Sequence, residues 1–277
     1  MRITRLSEGV DASQTLIPQA LERTYDVLRE YRTFMDAAGV SRGLLVATSA
    51  VRDARNGAEF LTQAGRLTRV EARVLSGGEE ATFTYDGATS DLAQDPRPTV
   101  VLDIGGGSTE LAMKVDGALL SYSMQLGCVR VTERALGRGI VTRERERAAN
   151  EMIGEQLDAA FAHVSALASV VGHVRLVGVA GTVATLTQLD AGIDVYDRDV
   201  VHHRTVSRAI VQQWRDRLSA EEPATRLTHA GMVHGREDVL HSGLYVLDAV
   251  MERLGTDELI SSENDILDGV AASLLRV

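Results

Sequence analysis

A glycine triplet set between two strand-like runs constrains this chain more than any other feature. Thr99-Val100-Val101-Leu102 reads as a buried strand and runs directly into Asp103-Ile104-Gly105-Gly106-Gly107-Ser108-Thr109-Glu110. Three glycines let the backbone turn tightly and approach a ligand closely. Successive N–H groups in such a turn make a concavity for anions. The residues around and beyond the triplet exclude two commoner nucleotide motifs. No Gly-Lys-Ser/Thr completes a P-loop, and a strand and hairpin come next where a dinucleotide fingerprint would open a helix. The hairpin is announced by Asp116-Gly117, a type I′ turn signal, between runs at 111–115 and 118–124. Asp103 at the strand end can hold Mg²⁺ through water, and Glu110 offers a second carboxylate at the same rim. Ser108 and Thr109 add hydroxyl donors. A plain tight turn in a hairpin is the competing reading.

Elsewhere strands and helices alternate. Helical spacing spans residues 18–38, with Pro18 at the start and Gly39 just past the end. Strands come at 43–47 and 70–75, with a helix at 58–67 and a short helix from Glu79-Glu80 towards Thr89. Residues 91–98 hold two of the four prolines and mark a domain boundary. We therefore expect domains at 1–95 and 97–277, with the last helix packing back on the first domain. A helix with one apolar stripe is expected over 143–171, ending at Gly172. A buried strand at 174–179 ends in Ala180-Gly181-Thr182 and runs into a helix. Further helices at 207–217, 236–254 and 264–275 surround a strand at 258–261. This alternation predicts an α/β fold with a parallel or mixed sheet covered by helices. The Gly178–Thr182 stretch is a second phosphate-loop candidate through its helix N-terminus, with Thr182 as a simple N-cap the alternative.

The 277 residues allow two modest domains or one large one. One cysteine, Cys128, excludes an intramolecular disulfide and suits a reducing cytosol. It is expected to be a buried small residue. The start of the sequence lacks the apolar core of a signal peptide, and no run reaches the ~20 apolar residues needed to span a bilayer, so no membrane partner and a cytoplasmic location are expected. A net charge of −10 argues against nucleic-acid binding. It also repels a polyanionic substrate on average, so any phosphate site must rely on local donors and a cation.

Strand, glycine turn, strand, with Asp at the end of the first, resembles the phosphate loop of the actin, Hsp70 and sugar-kinase superfamily. Further stretches resemble the exopolyphosphatase and guanosine pentaphosphate phosphatase family over nearly the whole chain. They are Ala47-Thr48-Ser49-Ala50-Val51-Arg52-Asp53-Ala54-Arg55-Asn56, Leu75-Ser76-Gly77-Gly78-Glu79-Glu80-Ala81, the run from Asp103 to Glu110, Leu126-Gly127-Cys128-Val129-Arg130, Gly178 to Thr182, and Ser262-Glu263-Asn264-Asp265-Ile266-Leu267-Asp268-Gly269. The resemblance implies two actin-like (ribonuclease H-like) domains with a cleft between them. It implies Mg²⁺-dependent, or Mn²⁺-dependent, removal of a terminal phosphate from polyphosphate or the guanosine polyphosphate pppGpp, and a homodimer. By matching position, Glu80 is the catalytic carboxylate and Arg52 contacts phosphate. Asp103 and Glu110 are metal-associated, with Glu110 also catalytic. Gly105, Gly106, Gly107, Ser108 and Thr109 wrap a phosphate, and Gly181 and Thr182 bind substrate. Unaided, Glu79-Glu80 reads as a solvated helix start and Arg52 as a surface ion pair.

The family pattern opens with a strand, an Asp-x-Gly-Thr-Asn-Ser loop and a second strand, which have no counterpart in this sequence. The first domain is therefore expected to lack its opening strands, through a start assigned too far downstream. Longer members add a helical domain with a His-Asp motif. No His-Asp dipeptide occurs, and His202-His203, His229, His234 and His241 show no metal-ligand spacing. A non-catalytic guanosine-polyphosphate sensor and a kinase of the same superfamily are the alternatives.

Overall fold

The computed structural model describes residues 2–275. They form two compact units, one of residues 2–80 with 270–275, the other of residues 81–269. The division falls inside two helices, Gly77–Ala88 and Ile266–Leu275, and residues 91–98 form a loop within the second unit.

In the first unit, helix Pro18–Ala37 begins with proline at its first turn, where a missing N–H costs nothing. It ends at Gly39, whose positive φ of 65° lets Val40 N–H reach back to Met35 O at 3.0 Å. Strands β1 (Leu44–Ala47) and β2 (Glu71–Val74) pair in parallel, joined through helix Gly57–Thr68. Leu28, Ala47, Val51, Phe60 and Ala64 make the core, and Tyr25 stacks on Phe60 at 5.8 Å.

In the second unit a six-stranded sheet runs β5-β4-β3-β6-β8-β7. The strands are β3 (Thr99–Ile104), β4 (Thr109–Val115), β5 (Ala118–Met124), β6 (Arg175–Val179), β7 (Thr205–Ser207) and β8 (Glu258–Ser261). β3, β4 and β5 form an antiparallel meander, and β6 and β8 continue from β3 in parallel. This mixed sheet, with helices packed on it, is the α/β arrangement that the alternation of strands and helices predicts. The β4–β5 turn has positive φ at both Asp116 and Gly117, as a type I′ hairpin requires.

Alternation sorts each strand's side chains between the two faces. Val100, Leu102, Ile104, Leu111, Met113 and Leu176 face the larger core, beneath helices Arg143–His163 and Leu240–Leu254. Val101, Ala112, Val177 and Val179 face Ala81, Tyr85 and Ala88. The helix expected over 143–171 stops at His163 and resumes as a short turn, Ala166–Ser169. Leu157, Ala160, Val164 and Leu167 are buried on both sides of the break, so the apolar spacing runs through it unmarked.

Candidate active site

The glycine loop hangs from the carboxyl end of β3, the edge at which open α/β sheets take ligands. Gly105 N–H donates to Ser108 O at 3.0 Å, closing the turn. Cys128 N–H then donates to Gly105 O at 2.9 Å and Val129 N–H to Gly106 O at 3.0 Å. Arg130 fixes the third glycine, donating from Nε to Gly107 O at 2.7 Å. Gly127 is what allows this approach: a Cβ there would lie 2.1 Å from Gly106 O. Thr109 is fully buried and its hydroxyl donates to Leu126 O. Ser108 is also buried.

Asp103 and Glu110 are direct partners across the β3–β4 ladder. Opposed residues in an antiparallel pair share a face, with Cβ atoms ~5 Å apart. Glu110 pairs in turn with Ser123 of β5, whose hydroxyl donates to Glu110 Oε1 at 2.6 Å. The row Asp103–Glu110–Ser123 thus sets two carboxylates side by side at the loop's base. Mg²⁺ takes one or two carboxylates and completes its shell with water and phosphate oxygens. This oxygen-only donor set fits it.

The second loop leaves the carboxyl end of β6, and Asp103 pairs with Val179 in the parallel register, so the two loops are neighbours. Thr182 sits in the first turn of helix Ala180–Ala191 rather than at its N-cap, which is Val179. Its hydroxyl points to Ile104 O at 3.5 Å, the outer limit of a hydrogen bond. Ala180 at the junction has φ of 68°, a left-handed conformation costly for alanine. Gly181 lies against Arg236: a Cβ there would sit 1.7 Å from Arg236 Nη2. Part of Arg236 reaches the surface while its Nε is buried, and burial pulls its pKa below the ordinary guanidinium value. Arg236 is not among the residues that the sequence marks, because nothing in its local pattern signals a cation stacked under a loop far back along the chain. Its charge also faces Cys128, whose thiol is pushed up in pKa by burial and so stays protonated.

In the first unit, Ser49–Arg52 forms one helical turn after β1. Arg52 Nη1 donates to Leu75 O at 2.9 Å and to Glu80 Oε2 at 3.2 Å. Glu80 is 5% exposed. Its pKa is raised, chiefly by burial, against the opposing pull of Arg52 and the Thr48 hydroxyl. Asp53 adds a smaller upward push. A buried carboxylate made more basic, with one hydrogen-bonded cation beside it, has the character of a general base. Glu79 is different. It accepts from Ser76 N–H and Oγ, both at 2.9 Å, and from Arg73 Nη1 at 2.6 Å, and caps the helix.

Asp91, His202 and His203 gather in the second unit, with ligand atoms within 4.8 Å of one another. The spacing of these histidines gives no sign of it. His202 Nδ1 accepts the Glu263 N–H at 3.0 Å, so its proton is on Nε2, which donates to Asp91 Oδ2 at 2.9 Å. A metal at Nε2 would have to displace that proton, so the cluster is a hydrogen-bonded clasp. Among the described residues no helix is long and apolar enough to cross a membrane.

The Ppx/GppA phosphatase family matches residues 1–276. Exopolyphosphatase 2 of Mycobacterium tuberculosis is 36% identical over 283 aligned residues, covering 99% of this chain and 87% of the relative. A bifunctional 3-dehydroquinate synthase/phosphatase of Fusobacterium nucleatum is 29% identical over 97% of this chain and 40% of its own length. Among solved structures, an exopolyphosphatase-like protein superimposes with a TM-score of 0.91 at 34% identity, covering 99% of this chain and 90% of that one. A Ppx/GppA family member from Aquifex aeolicus superimposes with a TM-score of 0.78 at 26% identity, covering 99% and 87%.

Proposed function

This chain belongs to the Ppx/GppA phosphatase family, and we propose that it releases the terminal phosphate of inorganic polyphosphate in an Mg²⁺-dependent hydrolysis. It is a phosphoanhydride hydrolase. The observation that carries the substrate and metal reading is the Asp103–Glu110 pair at the base of the glycine loop. In this reading Asp103 and Glu110 hold Mg²⁺, which neutralises phosphate charge when bound. The glycine loop, through the N–H groups of Gly106 and Gly107 and the Ser108 hydroxyl, cradles phosphoryl oxygens, and the helix start at Gly181 and Thr182 offers further donors. Glu80 takes a proton from water as the water oxygen bonds to the terminal phosphorus. The bridging P–O bond breaks, and the shortened chain leaves with its electron pair. Glu110, its carboxylate fixed by the Ser123 hydroxyl, would serve the same step as a ligand of that metal.

The test is phosphate release from polyphosphate with Mg²⁺, comparing wild type with Glu80→Gln. A fall of about 10²–10⁴-fold in kcat is expected on losing a general base. Equal rates would remove Glu80 from the chemistry. pppGpp carries the same terminal phosphoanhydride and is assayed in parallel. Tight pppGpp binding with no phosphate released from either substrate would favour a sensor instead.

A further inference from the structure

We infer that Arg52 gates Glu80: it holds the carboxylate while no substrate is present, and gives its charge to a phosphate when one arrives, which frees Glu80 to act as base. This rests on Glu80 being the base of the proposed hydrolysis.

A guanidinium has five N–H donors in a rigid fork. Those of Arg52 are split. Nη1 serves Leu75 O and Glu80 Oε2, whereas the edge formed by Nε and Nη2 bonds to no group among the described residues. The Arg52 side chain is 29% exposed against 6% for Glu80, so the open edge belongs to the residue that solvent and ligand can reach. That edge is the one arginine uses for two parallel bonds to a phosphate. The contact to Glu80 is correspondingly slack. At 3.2 Å it exceeds the ~2.7–2.9 Å of a firm charge-assisted bond. The Leu75 carbonyl tethers the guanidinium, so a small rotation can shift its charge outward without losing its place.

Other groups also act on Glu80. The Thr48 hydroxyl donates to it and Asp53 repels it. On its own helix, Glu79 is turned away to Ser76 and Arg73. Arg52 is therefore the cation that holds down Glu80's proton affinity against burial. A dianionic phosphate on its open edge cancels that influence, and the carboxylate becomes a stronger base when there is a phosphorus for water to attack. In the free protein the arginine keeps the buried charge partnered.

The experiment is a four-way titration of Glu80 by ¹³C NMR of labelled carboxyls, in wild type and Arg52→Gln, each with and without saturating Mg²⁺-imidodiphosphate, which resists hydrolysis. Saturation is checked by ³¹P NMR. Without the probe, Arg52→Gln should raise the Glu80 pKa by about one unit or more, the usual effect of removing an adjacent opposite charge. With the probe, the same substitution should change it far less, because the charge is already spent on phosphate. Direct repulsion by the probe acts in both proteins and cancels from the comparison. A substitution effect as large with probe as without it would overturn the gate. Should Arg52→Gln bind too weakly to saturate, Arg52→Lys goes through the same cycle, since it keeps a charge but loses the fork. The titration is readable whatever the assays give. Wild-type rates in Glu80→Gln would sink the base assignment, while the expected titration cycle in wild type and Arg52→Gln would leave the Arg52–Glu80 coupling standing.

Discussion

Glu79 and Glu80 are adjacent carboxylates on one helical turn, and their surroundings drive them in opposite directions. Three donors from Ser76 and Arg73 bring Glu79 down to about 2. Burial pushes Glu80 up. The consequences for stability have opposite signs. Glu79's contribution is present above its ordinary pKa and is lost as pH falls towards 2. For Glu80, the native state keeps a proton that the unfolded state has already released, so stability falls as pH rises from the ordinary value through the raised one. Above that window the buried charge is a net cost. Glu80→Gln removes the cost and keeps the shape. It should therefore resist urea better than wild type at pH 8, with the advantage shrinking towards pH 4, while its turnover is lost. A variant less stable than wild type at pH 8 would mean that Arg52 outweighs burial. None of this distinction is visible in the letters Glu-Glu. Only family resemblance singles out Glu80 in the sequence, since burial and partners are properties of the fold.

Elements are legible in the sequence where their own pattern decides them. The β3–loop–β4 unit, the Asp116-Gly117 hairpin and β6 arise from apolar runs and turn residues. The three-residue edge strand β7 has no such mark, because its pairing with β8 comes from the sheet and not from its own sequence. What joins distant elements is equally hidden. Gly87 and Gly269 look like ordinary helix glycines, yet each lets one helix touch the backbone of another. A Cβ at 87 would lie 1.9 Å from Asp265 O, and one at 269 would lie 2.0 Å from Phe83 O. Both obstacles are backbone, so neither can swing aside. Gly87→Ala and Gly269→Ala should each cost about 3 kcal/mol or more, at the upper end of overpacking effects. Gly154, inside helix Arg143–His163, is the control. A Cβ there meets nothing within 4 Å, so Gly154→Ala should gain about 0.5–1 kcal/mol from helix propensity. Urea unfolding of the three variants separates the cases. Equal effects at positions 87 and 154 would show that the close helix approach is not maintained in solution.

At the scale of the whole molecule the difficulty is charge. Asp and Glu outnumber Lys and Arg by 39 to 29, so an approaching polyphosphate meets a net −10. The proposed phosphate donors act over hydrogen-bond distances: backbone N–H groups in the glycine loop, the open edge of Arg52, and a cation held by Asp103 and Glu110. The two effects differ in range, and salt separates them. Screening has a Debye length of ~10 Å at 0.1 M, so it removes repulsion from the distant surface and hardly touches bonds made at ~3 Å. Nucleic-acid binders, whose basic surfaces attract from afar, lose affinity as salt is added. This protein should do the reverse. Raising KCl from ~10 to ~150 mM at fixed free Mg²⁺ should increase kcat/KM for long polyphosphate, through faster association. The gain should be smaller for a short chain, which carries less charge through the repulsive field. A steep fall in kcat/KM with salt would place the dominant interaction on exposed arginines away from the loop. Local donors would then no longer suffice to explain how so acidic a protein captures a polyanion.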